Sequence, residues 1–317
     1  MKAIAPFLFL LSMILFAGPW SPASAAPTGP WPVLPAEAPS PADNPMTEPK
    51  VRLGEILFND PRLSVNGSTS CATCHDQRRT FTDGRPTAIG ALGDQHPRNT
   101  PTLWNSAYNV SFTWLDAGLT TLEAQMQIPL TGTTPIEMGF TPALLTELKA
   151  DVIVNAQHRL AFGSEPMSAD TIIKAIASYV RTLVRMDRPF DRYFLDNNSA
   201  GMTGDAKRGL ALFFSARLGC GNCHAGAHLS GPTYAPDQVV APVFHRTAVS
   251  DVNFSVRAPS LRFVSLTAPY MHDGSLPTLD AVIEFYLRGG GRNAERLARF
   301  ELSETERQEL IAFLQTL

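Results

Sequence analysis

Two short strings constrain this chain more than anything else in its sequence: Cys71-Ala-Thr-Cys74-His75 and Cys220-Gly-Asn-Cys223-His224. Together they use all four cysteines of the 317 residues. Thiols three positions apart lie on one face of a helical turn, where both can add to the two vinyl groups of a haem. The histidine that follows reaches under the ring, and its imidazole becomes the proximal iron ligand. A Cys-x-x-Cys disulfide and a zinc half-site are the competing uses of such a string. Two copies, each followed at once by histidine and leaving no cysteine over, point instead to two covalently bound haems c.

The beginning of the chain says where such a protein would work. Lys2, the apolar run over residues 6–17 and the small residues Ala23-Ser24-Ala25 have the layout of a cleaved signal peptide, residues 1–25. The run is too short to span a bilayer, which takes roughly 20 residues. The expectation is export to the periplasm as a protein that does not span the membrane. Cleavage removes one lysine and no acid, so the formal net charge of −3 becomes −4. An acidic chain of this kind is a poor partner for nucleic acid. With 44% hydrophobic and 17% charged residues, the composition is that of a packed globular protein.

The organisation of the chain pairs the two motifs with two related units. Residues 26–48 hold seven prolines and few aliphatic residues, which predicts an extended leader. The string Gly54-x-x-Leu57-Phe58-x-x-x-Arg62-Leu63 precedes Cys71 and recurs as Gly209-x-x-Leu212-Phe213-x-x-x-Arg217-Leu218 before Cys220. An internal repeat in front of each motif implies two units that each open with an amphipathic helix. Over residues 168–193, Ile172, Ile173, Ile176, Tyr179, Val180 and Leu183 fall at helical spacing, with Ser168 or Asp170 as cap and Pro189 as stop. The polar stretch 196–204 is the expected boundary. The units are therefore 49–198 and 199–317, the last ending in helices over 278–287 and 303–317. Strand patterns are sparse, and the expected class is mainly α.

These features, with Phe81-Thr-Asp-Gly84, Leu122-Glu-Ala-Gln125 and Ala268-Pro-Tyr-Met-His-Asp-Gly274, resemble the bacterial di-haem cytochrome c peroxidase and MauG superfamily from about residue 50 onward. Within it the texture is nearest to the MbnH-type enzymes, relatives of MauG that work beside copper-binding MbnP-type proteins. The resemblance implies two cytochrome c-like haem domains packed against each other. It places a distal Gln125, Pro129 and Glu137 over the first haem, with two extra residues between Pro129 and Glu137 relative to the peroxidase pattern. A carboxylate there takes a proton from bound peroxide and returns it to the leaving oxygen. The peroxidases also carry a histidine that can block the first iron; Ala91 or a neighbour holds that place here, so the first haem is expected to be open without prior activation. His96, nearer to Pro97-Arg-Asn99, either lines the pocket or bonds a loop.

For the second haem, the peroxidases supply a methionine fourteen residues after the histidine that corresponds to His272. The same count here reaches Tyr286, and MauG likewise has tyrosine in this role; Met271 is the alternative ligand. Phenolate ligation favours ferric and higher states, whereas a thioether favours ferrous iron. The family's tryptophan between the haems would be Trp114, one residue out of register, with Leu115 in the matching place. Its calcium ion between the domains would take Asn99 through its side chain and Thr267 and Pro269 through their carbonyls. His158, His228, His245 and Trp104 match no family role and are expected to be surface or packing residues. The implied activity is oxidation by hydrogen peroxide, shared between the haems and delivered to an aromatic residue of a secreted partner, tryptophan foremost. The alternatives are a cytochrome c peroxidase fed by a small cytochrome or cupredoxin, and a non-catalytic di-haem electron carrier.

Overall fold

The computed structural model describes residues 31–196, 198–234, 240–295 and 297–317; the expected signal peptide, residues 1–25, lies outside the described residues. Ten α-helices are seen among the described residues: α1 Glu48–Phe58, α2 Cys71–Cys74, α3 Leu122–Thr131, α4 Pro142–Ala150, α5 Val152–Phe162, α6 Ala169–Arg181, α7 Pro189–Phe194, α8 Gly204–Phe213, α9 Leu279–Leu287 and α10 Glu304–Leu314. Two two-residue strands, β1 Phe244–His245 and β2 Val256–Arg257, pair antiparallel, so the fold is mainly helical as expected. None of these helices is long and apolar enough to cross a membrane.

The repeated string marks a helix crossing. A Cβ built on Gly54 of α1 would lie 2.0 Å from the Ala175 carbonyl oxygen and 2.9 Å from Tyr179 Cβ, both on α6. A Cβ on Gly209 of α8 would lie 1.9 Å from the Glu309 carbonyl oxygen and 2.9 Å from Phe313 Cβ, both on α10. Each glycine thus lets two backbones touch where any side chain would hold them apart. The next residues of the string fill the core: Leu57, Phe58 and Leu63 in the first copy, Phe213 and Leu218 in the second. The arginine then ties its unit together, Arg62 to Asp151 at the start of α5 (2.7 Å) and Arg217 to Glu306 of α10.

Helix α6 supplies most of the first core through Ile172, Ile173, Ala175, Ile176, Ala177 and Val180. Ser168 is its cap, accepting the Thr171 amide hydrogen. Its end differs from the expectation: α6 stops at Arg181, and Pro189 opens α7 instead of closing the longer helix. Proline is well placed at a first helical position, where its missing N–H costs no bond. The apolar contacts pass from one cluster to the other between Leu183 and Phe190, ahead of the polar stretch 196–204. Arg262 and Asp191 then lock α7 to the second unit through a fully buried 2.5 Å ion pair.

The proline-rich leader has no regular structure over residues 31–46 but is not loose. Trp31 packs on Phe190 and Phe194 of α7 and on Phe214 of the second unit. The Pro39 carbonyl accepts from Arg181, and buried Asn44 donates to Glu123 of α3. The leader therefore straps both units.

Substituting the crossing glycine tests this account. Gly54→Ala should lower the stability of the haem-loaded protein by about 1–3 kcal/mol, the usual cost of overpacking. An unchanged urea midpoint would show that α1 and α6 do not touch as described.

Candidate active site

Each Cys-x-x-Cys-His string closes one turn on itself. The amide of His75 donates to the Cys71 carbonyl at 2.9 Å, and that of His224 donates to the Cys220 carbonyl at 2.9 Å. The first turn is α-helical, and the second opens as a 3₁₀ turn over Cys220–Asn222. None of the four thiols is in a disulfide, and burial pushes those of Cys71 and Cys220 up to about 12 and Cys74 to about 11.

The two histidines are held in the same way. His75 Nδ1–H donates to the Phe81 carbonyl at 3.0 Å, and His224 Nδ1–H donates to the Leu229 carbonyl at 2.7 Å. Phe81 (φ 56°) and Leu229 (φ 54°) both sit in the left-handed region, a conformation that turns each carbonyl toward its histidine. A ring anchored through Nδ1 presents an unprotonated Nε2, the form that binds iron. Burial pulls both imidazoles down, His224 to about 4, so each is neutral at pH 7.

The residues expected above the first motif come from two segments. Gln125 and Pro129 lie one turn apart on α3, hence on one face. The chain returns so that the Met138 amide donates to the Pro129 carbonyl at 3.0 Å, which brings Glu137 beside the end of α3 that holds Pro129. Glu137 is near enough to Cys71 and Cys74 for its charge to push both thiols up. Its own carboxyl is raised by burial, with His96 opposing from 3.4 Å. His96 therefore meets the expected distal carboxylate.

In the second unit, Tyr286 of α9 faces the other string. Burial pushes its phenol up, and charge on Cys223 or Cys220 would push it further. The polypeptide alone thus favours the neutral phenol, and a phenolate there would need a cation such as ferric iron. Met271, the alternative, lies off α9 in a left-handed turn (φ 74°) two residues after cis-Pro269. His245 of β1 meets Cys223 Sγ through Nδ1 at 3.4 Å.

A seam of backbone bonds joins the units. The Asn99 amide donates to the His272 carbonyl at 2.8 Å, Trp114 Nε1–H donates to the Asn99 carbonyl at 3.1 Å, and the Arg257 amide donates to the Trp114 carbonyl at 2.9 Å. Trp114 therefore bridges Asn99 of the first unit and Arg257 of the second. Trp104 packs between Phe81 and Phe263, again across the seam. His158 is buried and bonds Thr171 at 3.0 Å.

Both ring nitrogens of His228 and of His272 are buried with no hydrogen-bond partner among the described residues. Arg257 is buried too; no carboxylate among the described residues pairs with it, and desolvation pulls it down to about 10. Unpaired polar groups are costly inside a protein, and haem carboxylates are the chemistry a buried cation accepts. Two neutral imidazoles with Nε2 available, paired thiols at each and unneutralised buried polar groups together fit two haems. Sequence reasoning missed the His96–Glu137 contact and buried Arg257, because neither has a local signature.

The model of the family "Di-haem cytochrome c peroxidase" matches residues 48–199. The methylamine utilization protein MauG of Methylorubrum extorquens is 40% identical over 89% of this chain and 82% of its own length. The chain belongs to the MauG/di-haem cytochrome c peroxidase family. A cytochrome c peroxidase of Denitromonas iodatirespirans is 35% identical, over 92% of this chain and 86% of that protein. The crystal structure of a MauG-like protein associated with microbial copper homeostasis superposes with a TM-score of 0.84 at 36% identity, covering 90% of this chain and 94% of the other. As a di-haem peroxidase-like oxidoreductase of this family, the chain carries two covalent haems c. Intact mass should exceed that of the polypeptide by two haems, and the Cys71→Ala/Cys74→Ala variant should keep only one on a haem-stained denaturing gel. A wild-type mass with a single haem would contradict this count.

Proposed function

We propose that this di-haem oxidoreductase works in the MauG manner: it reduces hydrogen peroxide and draws the two electrons from an aromatic residue, tryptophan foremost, of a partner protein. Peroxide with two protons and two electrons becomes two waters, and the partner residue is what is oxidised. The observation that carries this reading is Tyr286, a phenol facing Cys220 and Cys223 where the peroxidases offer a thioether. A phenolate-ligated iron is badly tuned for rapid exchange with a soluble electron donor but suits storage of an oxidising equivalent.

The haems, once bound, supply the iron that activates peroxide and the store for its oxidising equivalents. This chain's residues do the rest. Glu137 takes the first proton from peroxide and returns it to the departing oxygen. Gln125 orients the oxygen by hydrogen bonding, and Trp114, bonded into the seam, serves as the site through which charge hops between units. Asn99 commits its amide protons to the Arg85 and Pro86 carbonyls (2.9 and 3.2 Å), leaving its oxygen for a calcium ion with the carbonyls of Thr267 and Pro269. The proposed setting is the periplasm, from residues 1–25, and the proposed partner is a co-exported, MbnP-type copper-binding protein. The similarity to a MauG-like protein associated with copper homeostasis supports that choice.

Glu137→Gln should slow the stopped-flow reaction with peroxide by about 10²-fold while both haems stay bound. Glu137 must be ionised to take a proton, and burial raises its pKa. The wild-type rate should therefore climb with pH through a midpoint above the ordinary carboxylate range, and the variant should lack that limb. An equal rate in both proteins would leave Glu137 a structural residue only.

A co-exported partner incubated with the enzyme and peroxide should acquire an oxidative mass change at a tryptophan or another aromatic residue. Trp114→Phe should weaken that mark more than it weakens peroxide binding. Fast oxidation of reduced cytochrome c with no mark on any partner would favour the ordinary peroxidase instead.

A further inference from the structure

The loop over residues 88–97 is built to grip the segment that carries Glu137. It folds back on itself through the Ile89–Gln95 bridge and the bond from the His96 amide to the Ala88 carbonyl (2.9 Å). Its tip is then stitched to the next segment. The Ala91 amide donates to the Glu137 carbonyl at 2.7 Å, and the Ile136 amide donates to Asp94 Oδ2 at 3.0 Å. Gly90 permits the approach, since a Cβ there would lie 1.8 Å from the Ile136 carbonyl oxygen. The main chain of Glu137 is thus placed by the loop before its side chain makes any contact.

The same loop supplies the side-chain contact. His96 Nε2 lies 3.4 Å from Glu137 Oε1, and the two side chains are 24% and 27% exposed, so the pair is partly open to solvent. The direction of this contact follows from the other ring nitrogen. The Arg98 amide donates to His96 Nδ1 at 3.1 Å, which makes Nδ1 an acceptor, while the Arg98 carbonyl stands farther off at 3.5 Å. A neutral ring that accepts at Nδ1 carries its proton on Nε2, the nitrogen that lies beside the carboxylate.

We infer that His96 is the positioning residue of Glu137: its Nε2–H holds one carboxylate oxygen and keeps the group in the proton-accepting form that peroxide cleavage requires. The inference rests on the role proposed for Glu137 and adds the residue that tunes it. Hydrogen bonding to the ionised form is one of the few ways a half-buried carboxylate is kept charged against desolvation. The titratable and charged groups facing Glu137 are His96 and Asp94 of the loop and Cys71 and Cys74 of α2; Asp94 is already committed to the Ile136 amide. The sulfurs become uncharged thioethers when haem is attached, which leaves His96 as the one donor in this set. Arg98 meets His96 through its backbone, while its guanidinium lies over the Phe254 ring.

The test uses the ferric holoenzyme and fluoride, whose binding to an open iron is favoured by a protonated distal acid and is read optically without turnover. Fluoride affinity measured against pH reports the midpoint at which Glu137 ionises, and the peroxide rate profile gives an independent midpoint. His96→Phe should move both midpoints upward by about one unit, a tenfold change in proton affinity, with both haems still attached. His96→Gln, which can still offer an N–H, should recover most of the shift, and His96→Ala checks that the bulk of Phe is not the cause. A packing role alone would alter stability and leave the midpoints in place. Unmoved midpoints in His96→Phe and His96→Ala, together with a lost midpoint in Glu137→Gln, would overturn the role of His96 and spare that of Glu137. A fluoride profile that Glu137→Gln also leaves unchanged would overturn both.

Discussion

Both units depend on a close approach between helix backbones. At Gly54 against Ala175, and again at Gly209 against Glu309, two helices touch where a single added carbon has no room. That contact fixes the distance and angle of α1 on α6 and of α8 on α10, and the remainder of each unit is arranged around it. Each string continues from its glycine into core side chains and an arginine, then delivers the chain to its Cys-x-x-Cys-His turn. Because the crossing leaves no slack, the turn is presented from a rigid frame, and each histidine needs only one further bond to be oriented. A carbonyl in a left-handed turn provides it in both units. The repeat is thus a mechanical unit used twice.

What differs between the copies lies on the opposite side of each motif. In the first unit a carboxylate, Glu137, lies near the thiols and beside the partly exposed His96. In the second a buried phenol faces the thiols, and charge there is disfavoured by everything the chain itself supplies. One frame therefore presents a partly exposed carboxylate beside one pair of thiols and a buried phenol beside the other. The seam through Asn99, Trp114 and Arg257 joins the two units by two backbone hydrogen bonds, with a third from the Trp114 indole to Asn99 linking them within the first unit. Buried Arg257, whose guanidinium meets only backbone carbonyls among the described residues, and the rings of His228 and His272, with no hydrogen-bond partner among those residues, add polar groups to this region. Such groups are tolerated where a bound group completes them.

Much of this was legible because it is local. The paired motifs, the repeat, the Ser168 cap and the helices at 279–287 and 304–314 depend on residues within a turn or two of one another. Other features were decided at long range. The stretch 168–193 reads as one helix, yet it breaks after Arg181 because Phe190 is drawn into a different core, where Trp31 from the leader covers it. The leader itself reads as spacer from its prolines, and only the packed structure makes its carbonyls acceptors for Arg181 and Tyr108.

The active site divides along the same line. The sequence by itself determined where two haems attach and which histidine serves each, since thiol spacing and the adjacent imidazole are set within five residues. It also brought Gln125, Glu137 and Tyr286 forward through their resemblance to known relatives. Only the tertiary structure decided that His96 meets Glu137, 41 positions along the chain, and that Arg257 is buried with no carboxylate partner among the described residues. Contacts of that kind depend on how two loops close over one another, and closure is governed by backbone bonds such as those of Ala91 and Ile136. Those bonds use the main chain, which every residue but proline supplies alike, and so they leave almost no mark on the choice of side chains.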